Sequence, residues 1–376
     1  MALTKYKLGE LIKLCELKND ELKYDIPDVK GISIQKIFIE TKANMEGISL
    51  KPYYLVQPDD FAYVTVTSRN GEKITLAHNT TDKTYIVSSS YIVFRVNRTD
   101  LLLSDYLFMY FNRPEFDRYS RFNSWGSARE TFSWDDMCDM DIELPPIEIQ
   151  QKYVDVYNAM LANQQSYDRG LDDLKLTCDA YIDKLKHNRT LVEIGNFIHQ
   201  INNKNIDNQK YRFAGLSMDN YFIDSIADDT ELDFTKYKIV EPNEYGAVLM
   251  KVGRDARLTI ARNTSNERYL ISPAYYTFRI TGIMPEYFMT CVNRPEFERR
   301  GWFSCDTSAR GSLSWDEFMK LKIPNATDEE QSIISKLYKM QVVRIEINEK
   351  LKSQIKNICP ILIKGSIEEG RKAGVV

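Results

Sequence analysis

The chain contains one phrase of residues twice, and this internal repeat limits the folds that it can adopt. The sequence Asn-Arg-Pro-Glu-Phe occurs at 112–116 and again at 293–297, a shift of 293 − 112 = 181. A repeat of this length predicts two similar domains, which present similar surfaces to a target that itself has two parts. Ser-Ala-Arg at 127–129 and Ser-Trp-Asp at 133–135 recur with the same shift, at 308–310 and 314–316.

The repeat extends upstream of the phrase with a slightly larger shift. Phe94 and Arg95 match Phe278 and Arg279, a shift of 278 − 94 = 184. Because the shift falls from 184 to 181 before Asn112, three residues are lost between the two stretches, and such a loss is typical of a surface loop. Other pairs at the shift of 184 are Gly31 and Gly215, Ser33 and Ser217, Phe38 and Phe222, Tyr53 and Tyr237, and Pro58 and Pro242.

Length and composition indicate a folded protein with two cores. A chain of 376 residues is longer than one ordinary core requires, and the repeat divides it into domains of similar design. Hydrophobic residues at 43% and charged residues at 28% are typical of a globular protein. No apolar run approaches the roughly 20 residues of a membrane helix, and residues 1–18 lack a signal-peptide core. We therefore expect a cytoplasmic protein without a membrane partner.

Cysteine, histidine and net charge restrict the possible ligands. The six cysteines form no Cys-x-x-Cys pair and the three histidines are far apart, which argues against a metal site. We expect these cysteines to be free thiols, most of them buried. The net charge of −4 by itself argues against a nucleic-acid partner, but acidic helices can mask basic loops, so the local charge decides.

Two long stretches have the apolar spacing of helices that pack along a partner helix. The first, 148–187, contains no proline and predicts a helix of roughly 60 Å. The second begins with a capping box of Thr327 and Glu330, and Pro360 is expected to end or kink it. The positions predicted to pack are Tyr157, Met160, Tyr167, Leu171, Leu174 and Tyr181 in the first helix, and Ile333, Leu337, Met340, Ile347, Leu351 and Ile355 in the second. Arg344 interrupts the stripe of the second helix, and Gly170 lies inside the first helix, where it costs about 1 kcal/mol relative to alanine.

The expected fold class is α+β. The simplest arrangement has two globular domains, related by an approximate two-fold axis and separated by the two long helices, which pack antiparallel as a coiled coil. The alternative is that each helix packs on its own domain or binds a partner protein. Predicted strands are 61–66, 85–96, 248–252 and 275–280, and predicted short helices are 101–111 and 284–292.

Motifs of common enzymes are absent, with one loose exception. The sequence has no G-x-G-x-x-G, Walker loop or H-E-x-x-H, and no Pro-Pro-aromatic string of the kind found in adenine methyltransferases. Asp28, Glu40 and Lys42 follow the order of the P-D…E-x-K nuclease motif, in which carboxylates hold a divalent metal. The second copy has Asp224 and Ile226 in place of Glu40 and Lys42, which argues against this site.

Corresponding loops of both copies carry Arg and Asn, and the loop of the first copy also carries Lys and Ser. Arg and Asn make bidentate hydrogen bonds to guanine and adenine edges, and Lys and Ser commonly contact phosphates. We therefore predict that these loops contact DNA, the alternative being a solvated hairpin with surface charge. The residues concerned are Ser68, Arg69, Asn70, Lys73 and Asn79 in the first copy, and Arg254, Arg257, Arg262 and Asn263 in the second.

Ser127, Arg129, Ser308 and Arg310 form a second candidate group. They precede segments that begin Ser-Trp-Asp, where a helix can start, and hydroxyl and guanidinium groups there suit a phosphate. The alternative is that each arginine pairs with a carboxylate inside its own domain. The tryptophans of these segments, Trp134 and Trp315, are expected in the core.

The order of repeat, long helix, repeat and long helix closely resembles the specificity subunit of type I restriction-modification systems. The phrase Gly-Ser-Ala-Arg at 126–129 and the junction Leu-Pro-Pro-Ile-Glu-Ile-Gln-Gln at 144–151 carry the resemblance, which covers essentially the whole chain. The second junction, at 323–327, keeps only one proline.

The resemblance implies two target-recognition domains, each of which reads one half of a bipartite sequence in double-stranded DNA. It also implies that the helices set the spacing and dock two methyltransferase subunits. Those subunits bring S-adenosylmethionine and methylate an adenine in each half-site, and restriction subunits with translocase and nuclease activities join the complex. By this resemblance the chain itself binds no cofactor or metal and is not an enzyme.

The resemblance also suggests domain boundaries. The expected segments are a first target-recognition domain at 1–146, a central helix at 147–188, a second target-recognition domain at 189–326, a second long helix at 327–364 and a tail at 365–376. A metal-dependent nuclease and a structural coiled-coil adaptor are the alternative functions.

Overall fold

A computed structural model describes residues 3–67, 73–127, 129–225, 232–250, 257–306 and 311–373. Contacts divide the chain into two compact units. The first unit joins Met1–Ser166 to Asn348–Val376, and the second unit is Tyr167–Ile347. Each unit therefore contains one copy of the repeat and a part of each long helix.

The first copy is built on a four-stranded antiparallel sheet. Its strand order is Ile12–Leu14, Tyr91–Val96, Phe61–Val64 and Leu76–His78. Two of its buried rings, Phe61 and Phe94, stack with centroids 5.1 Å apart, and Phe111 of a neighbouring helix packs edge-on to both. The helices of this copy are Ser104–Phe111, Pro114–Phe122 and Trp134–Cys138, with short 3₁₀ turns at Leu8–Glu10 and Ile26–Asp28.

Smaller strand pairs complete the first copy. Val29 and Ile86 form a parallel bridge that connects two of these pairs. The antiparallel pairs are Thr4–Lys7 with Asp141–Leu144, Lys30–Ile32 with Phe38–Glu40, Tyr54–Val56 with Tyr85–Val87, and Ser124–Trp125 with Thr131–Phe132.

The second copy repeats this plan. Its main sheet has the order Ile198–Ile201, Tyr276–Ile280, Tyr245–Val248 and Thr259–Arg262. Phe213 and Leu270, at the repeat positions of Val29 and Ile86, also pair in parallel. The remaining strands are Leu191–Glu193, Arg212–Leu216, Phe222–Asp224, Lys238–Val240, Tyr269–Ile271 and Lys322–Pro324, the helices are Pro285–Val292, Pro295–Phe303 and Trp315–Met319, and 3₁₀ turns lie at Ile194–Asn196 and Phe234–Lys236.

The mixture of strands and helices agrees with the predicted class, although several boundaries differ. The stretch predicted as one strand at 85–96 is two strands, because a turn at 88–90 closes with a hydrogen bond from Tyr91 N–H to the Ser88 carbonyl at 3.1 Å. The strand predicted at 248–252 is instead Tyr245–Val248, which follows a turn where Asn243 has a φ of 68°. Residues 251 and 252 lie outside the described part of the chain.

Both long helices begin where the sequence predicted. The central helix is Ile147–Asn188, and the last helix is Asp328–Ala373. Thr327 and Glu330 form the predicted capping box: Thr327 N–H donates to the Glu330 carboxylate at 2.8 Å, and Glu330 N–H donates to the Thr327 hydroxyl at 3.4 Å. These bonds satisfy amide groups that otherwise lack partners at a helix start.

The end predicted for the last helix was wrong. Pro360 does not end it, because the helix continues through Pro360 to Ala373. The predicted tail at 365–376 is therefore helical over its described part, 365–373. A proline costs one backbone hydrogen bond, but tertiary packing offsets this loss here. Leu362 and Ile363 are buried in the first core, and the Tyr106 hydroxyl lies 2.7 Å from that of Ser366.

In each unit the two helix segments run antiparallel. In the first unit Lys152 pairs with Glu369 at 2.9 Å, and twelve residues further along the central helix the Gln164 amide donates to Asn348 at 3.1 Å. In the second unit Arg189 pairs with Glu330 at 2.9 Å. The guanidinium of Arg344 lies over the Tyr167 ring at 5.1 Å and beside Gly170. The charged residue that interrupts the stripe of the last helix therefore faces the glycine of the central helix.

The predicted stripe of the last helix was partly wrong. Met340 and Ile333 are 56% and 40% exposed, whereas Ile334 is fully buried and Gln331 is 7% exposed. The buried face is therefore rotated by about one residue relative to the prediction at this end of the helix. The cause is the second core, into which Ile334 packs beside Tyr338.

Candidate nucleic-acid interface

In the first unit, described residues that flank the two loop groups predicted to contact DNA meet beyond the end of the central strand Phe61–Val64. Val66 bridges Thr131, and Thr67 N–H donates to the Glu130 carbonyl at 2.9 Å. Phe132 N–H donates to the Thr65 carbonyl at 2.8 Å. The segment that leaves the sheet after Thr67 therefore starts beside the hairpin that carries Ser127 and Arg129. Ser68, Arg69 and Asn70 themselves lie outside the described residues.

The tip of this hairpin is exposed and polar. Ser127 and Arg129 are both exposed, in agreement with a contact surface. Gly126 has a φ of 141°, and a Cβ atom there would overlap the Arg129 carbonyl oxygen, so the turn requires glycine. Trp125 is 65% exposed and is a candidate contact that the sequence reading missed. The repeat offered no signal for it, because Asp306 stands at its position in the second copy.

An ion pair braces the base of the hairpin. The Arg121 guanidinium donates to the Glu130 carboxylate at 2.5 Å and to the Thr67 hydroxyl at 3.4 Å. Arg121 therefore connects the helix Pro114–Phe122 to both loop groups. Its guanidinium is engaged inside the protein, whereas Arg129 projects from the tip.

The second unit has the equivalent junction. Leu313 N–H donates to the Leu249 carbonyl at 2.9 Å, and these residues occupy the repeat positions of Phe132 and Thr65. Asp306 N–H donates to the Ser312 carbonyl at 3.1 Å. The other predicted contacts of the second copy, Arg254, Ser308 and Arg310, lie outside the described residues.

The helices that begin at Trp134 and Trp315 do not offer a phosphate site. Ser133 caps the first of them by accepting the Asp136 N–H at 3.1 Å, and Ser314 accepts the Glu317 N–H at 3.2 Å. The first turns carry carboxylates, which repel a phosphate. Trp134 and Trp315 pack into the cores as predicted, Trp315 with its ring stacked 4.8 Å from Tyr276.

The prediction that Asn79 and Asn263 contact DNA was wrong, because both are buried. Asn79 is 1% exposed and Asn263 is fully buried. The Asn79 amide donates to the carbonyls of Val56, Gln57 and Lys83 at 2.8–3.1 Å, and its oxygen accepts the Thr81 N–H at 3.1 Å. Asn263 makes matching bonds to the carbonyls of Val240 and Glu267 and from the Ser265 N–H. Each asparagine therefore closes a turn and has no capacity left for a base.

Arg262 is also engaged inside its domain, contrary to the prediction. Its guanidinium donates to Glu286 at 3.1 Å and to Asn243 at 2.8 Å, and the side chain is 18% exposed. His78 occupies the same repeat position, and its two ring nitrogens lie 2.9 Å from Asp59 and 3.5 Å from Asp105. Both residues link the main sheet to the first helix of their copy.

Two predicted contacts lie where the basic segments rejoin the sheet. Lys73 is partly buried, and Arg257 is 53% exposed while its guanidinium pairs with Glu298 at 3.2 Å. Both residues occupy the same repeat position, because 257 − 73 = 184. The structure therefore places them at the downstream ends of 68–72 and 251–256, beside the predicted surface rather than at its centre.

The residues of the nuclease-like motif do not converge on a metal site. The Asp28 carboxylate accepts the Asp25 N–H at 3.0 Å in a turn, and Glu40 pairs with Lys30 at 2.5 Å. Within the described part of the chain, no group of three or more His, Cys, Asp and Glu side chains could hold a metal. Burial raises the pKa of the Cys291 thiol to about 12, so this thiol stays protonated at neutral pH.

Comparison with solved structures supports the fold. The S subunit of a type I restriction-modification system from M. genitalium aligns over 97% of this chain and 96% of its own, with a TM-score of 0.56 and 13% identity. The chain has the fold of a type I restriction-modification S subunit. The resemblance inferred from the sequence is thus confirmed at the level of the fold.

Two further matches have the same extent. A structure from work on complex assembly and conformational transition of the type I restriction-modification system covers 97% of this chain and 98% of its own, at 14% identity and a TM-score of 0.47. The HsdS subunit from Thermoanaerobacter tengcongensis covers 97% and 96%, at 14% identity and a TM-score of 0.39. The fold assignment rests on the M. genitalium structure alone. No protein-family model and no curated protein sequence matches the chain.

None of the helices in the described ranges is long and apolar enough to cross a bilayer.

Proposed function

We propose that the chain is the DNA-recognition subunit of a type I restriction-modification complex, in which each copy reads one half of a bipartite site. The observation that carries this proposal is the junction found in both copies. Val66 lies beside Thr131, and Leu249 lies beside Leu313, so in each copy a residue that flanks the basic segment meets a residue that flanks the Ser-Ala-Arg stretch. The S-subunit fold agrees with this role.

The proposed contacts differ from the sequence prediction in four residues. Asn79, Asn263 and Arg262 are structural, and Arg257 lies in an ion pair at the margin. The remaining candidates are Ser68, Arg69, Asn70, Lys73, Ser127 and Arg129 for one half-site, and Arg254, Ser308 and Arg310 for the other. Exposed Trp125 is added to the first group. Guanidinium and amide groups read base edges, hydroxyl groups position the backbone, and an exposed indole packs against sugar or base.

The helices are proposed to act as the spacer between the half-sites. The central helix has 42 residues and is therefore about 63 Å long, which exceeds one turn of duplex at roughly 34 Å. The antiparallel contacts within each unit are compatible with one antiparallel pair and an approximate two-fold relation of the copies. Two methyltransferase subunits with S-adenosylmethionine, and the restriction subunits, are proposed to dock on this frame.

Co-expression with a methyltransferase subunit tests the proposal. We expect methylated adenines in one bipartite motif, detected by methylation-sensitive sequencing. Exchange of residues 1–146 for those of another such chain should alter one half of the motif and leave the other half unchanged. The absence of any methylated motif and of DNA binding would favour the adaptor. Cleavage by the purified chain with magnesium, abolished by Glu40→Ala, would favour the nuclease.

A further inference from the structure

Each copy buries one carboxylate immediately after the repeated phrase. Asp117 and Glu298 follow the phenylalanine of Asn-Arg-Pro-Glu-Phe at matching positions, since 298 − 117 = 181. Their side chains are only 13% and 7% exposed. A buried carboxylate requires a cation or several hydrogen-bond donors, so the partners of these two groups are informative.

In the first copy the carboxylate has a lysine and a backbone amide as partners. The Asp117 oxygen lies 2.8 Å from the Lys36 ammonium and accepts the Ile74 N–H at 3.2 Å. Lys36 comes from the hairpin tip between Lys30–Ile32 and Phe38–Glu40, and its φ is 63°. Ile74 follows directly on Lys73. Asp117 therefore holds the downstream end of the first basic segment through its backbone.

In the second copy the cation comes from the basic segment itself. Asn220 stands at the position of Lys36 with a φ of 66°, and its side-chain oxygen accepts the Ile260 N–H at 2.9 Å. Asn220 therefore supplies no cation, and Arg257 donates to the two Glu298 oxygens at 3.2 and 3.5 Å. Arg257 is the last residue of the second basic segment. Glu298 therefore holds that end through a side chain.

We propose that Asp117 and Glu298 are positioning residues that fix the downstream ends of the two base-reading segments. The inference rests on the proposed function, because it takes 68–73 and 251–257 as the segments that read DNA. Arg257 then acts through Glu298 and contacts no base. Glu298 also neutralises a guanidinium that, if released, would bind phosphates without regard to sequence.

Glu298→Gln, assayed in the full chain co-expressed with a methyltransferase subunit, tests this inference. Gln has the same shape as Glu and removes the charge. We expect discrimination against base changes in the half-site of the second copy to fall about tenfold, while the other half-site is read as before. The released guanidinium can contact a phosphate. The slope of the logarithm of the duplex binding constant against the logarithm of the salt concentration should therefore steepen by about 0.9. Fluorescence anisotropy with matched and mismatched duplexes measures both effects.

Three variants serve as controls. Glu298→Asp keeps the charge and reproduces the residue of the first copy, so it should restore wild-type discrimination. Arg257→Gln should lose discrimination without the steeper salt dependence, because no cation is released. Glu241→Gln removes a similar surface pair, with Arg268 at 2.8 Å, and should change neither property.

Two results would overturn the inference while leaving the proposed function intact. One is a Glu298→Gln complex that methylates the wild-type motif with unchanged discrimination and salt dependence. The other, should Glu298→Gln not fold, is an Arg257→Gln complex with wild-type discrimination. A wild-type complex with no bipartite motif would instead overturn both.

Discussion

The two copies compensate the same buried carboxylate with cations from different places. In the first, Lys36 is 4% exposed and comes from a hairpin outside the basic segment, whereas in the second Arg257 is 53% exposed and belongs to that segment. The position of the acid is thus constant and the source of the cation is not. A duplicated domain can therefore keep its scaffold while the strength with which a loop is held changes.

The largest expected effect is that of Asp117→Asn. This change leaves the Lys36 ammonium buried without its counter-ion, and breaking such a pair costs about 3–5 kcal/mol of unfolding free energy. Glu298→Gln should cost less than about 1 kcal/mol, because half-exposed Arg257 can be hydrated. Urea denaturation, monitored by hydrogen exchange in each copy, measures the two losses of unfolding free energy. Equal losses would remove the contrast between the copies.

The loss in Asp117→Asn should depend on pH with a definite sign. Burial lowers the pKa of Lys36. Between the folded and unfolded pKa values the unfolded chain binds more protons, so stability rises with pH across that window. The Asp117 carboxylate raises this pKa, so its removal lowers the pKa of Lys36 further and the variant regains stability from a lower pH. The penalty of Asp117→Asn should therefore shrink as the pH rises toward roughly 10. Lys36→Met combined with Asp117→Asn should show no such trend.

A second comparison concerns the helix segments that complete each core. Ile363 and Ile182 are matched by the repeat, are 0% and 1% exposed, and lie in the first and second cores respectively. Alanine at either position should lower the free energy of unfolding by about 3 kcal/mol, because it leaves a cavity. Hydrogen exchange should rise in the first copy for Ile363→Ala and in the second for Ile182→Ala. Ile361→Ala, at a position 65% exposed, is the control.

The repeated arginine offers a third contrast. Arg294 is 9% exposed and donates to Asp179 and Asp183 at 2.9 and 2.8 Å. Its counterpart Arg113 stacks on Tyr110 at 3.5 Å from the ring centroid. Arg294→Met should lower the free energy of unfolding by about 2 kcal/mol, and Arg113→Met should lower it by less than about 1 kcal/mol. Thermal unfolding of the two variants measures both changes.

Acid should reveal the same difference between the arginines. The bond from Arg294 holds the pKa of Asp183 below its ordinary value, so the stabilisation is present at neutral pH and is lost as the pH falls through the folded pKa. Arg294→Met should therefore flatten the acid limb of the stability profile. An unchanged acid limb would contradict this role for Arg294.

The smallest effect is expected from the helix glycines. A Cβ at Gly170 would overlap the flexible end of Arg344, which must swing away. The higher helix propensity of alanine, about 1 kcal/mol, offsets this displacement. A Cβ at Gly370 would lie 2.9 Å from the Pro145 side chain, which is rigid. Gly170→Ala should therefore be neutral in thermal unfolding, and Gly370→Ala should lower the midpoint. The reverse order would contradict this account.

The sequence predicted two copies of one fold, both helix starts and the capping box, because the repeat and local spacing determine these features. It misassigned Asn79 and Asn263, since an asparagine that closes a turn and one that reads adenine are the same residue in a sequence. Their presence in both copies was in fact evidence for the scaffold, because readers of different half-sites should differ. The buried partners of Asp117 and Glu298 depend on contacts distant in sequence, which spacing does not reveal.

The core of the first unit, which both ends of the chain build, also limits the order in which the two units can fold during synthesis. The second unit is continuous, whereas the first copy buries Cys359, Leu362 and Ile363 from the last helix. On a ribosome the copy that is synthesised first must wait for the final turns of the chain before its core closes. Until then Tyr106 and Tyr157 remain uncovered by those residues, so the nascent first domain depends on its own distant sequence as if on a separate subunit.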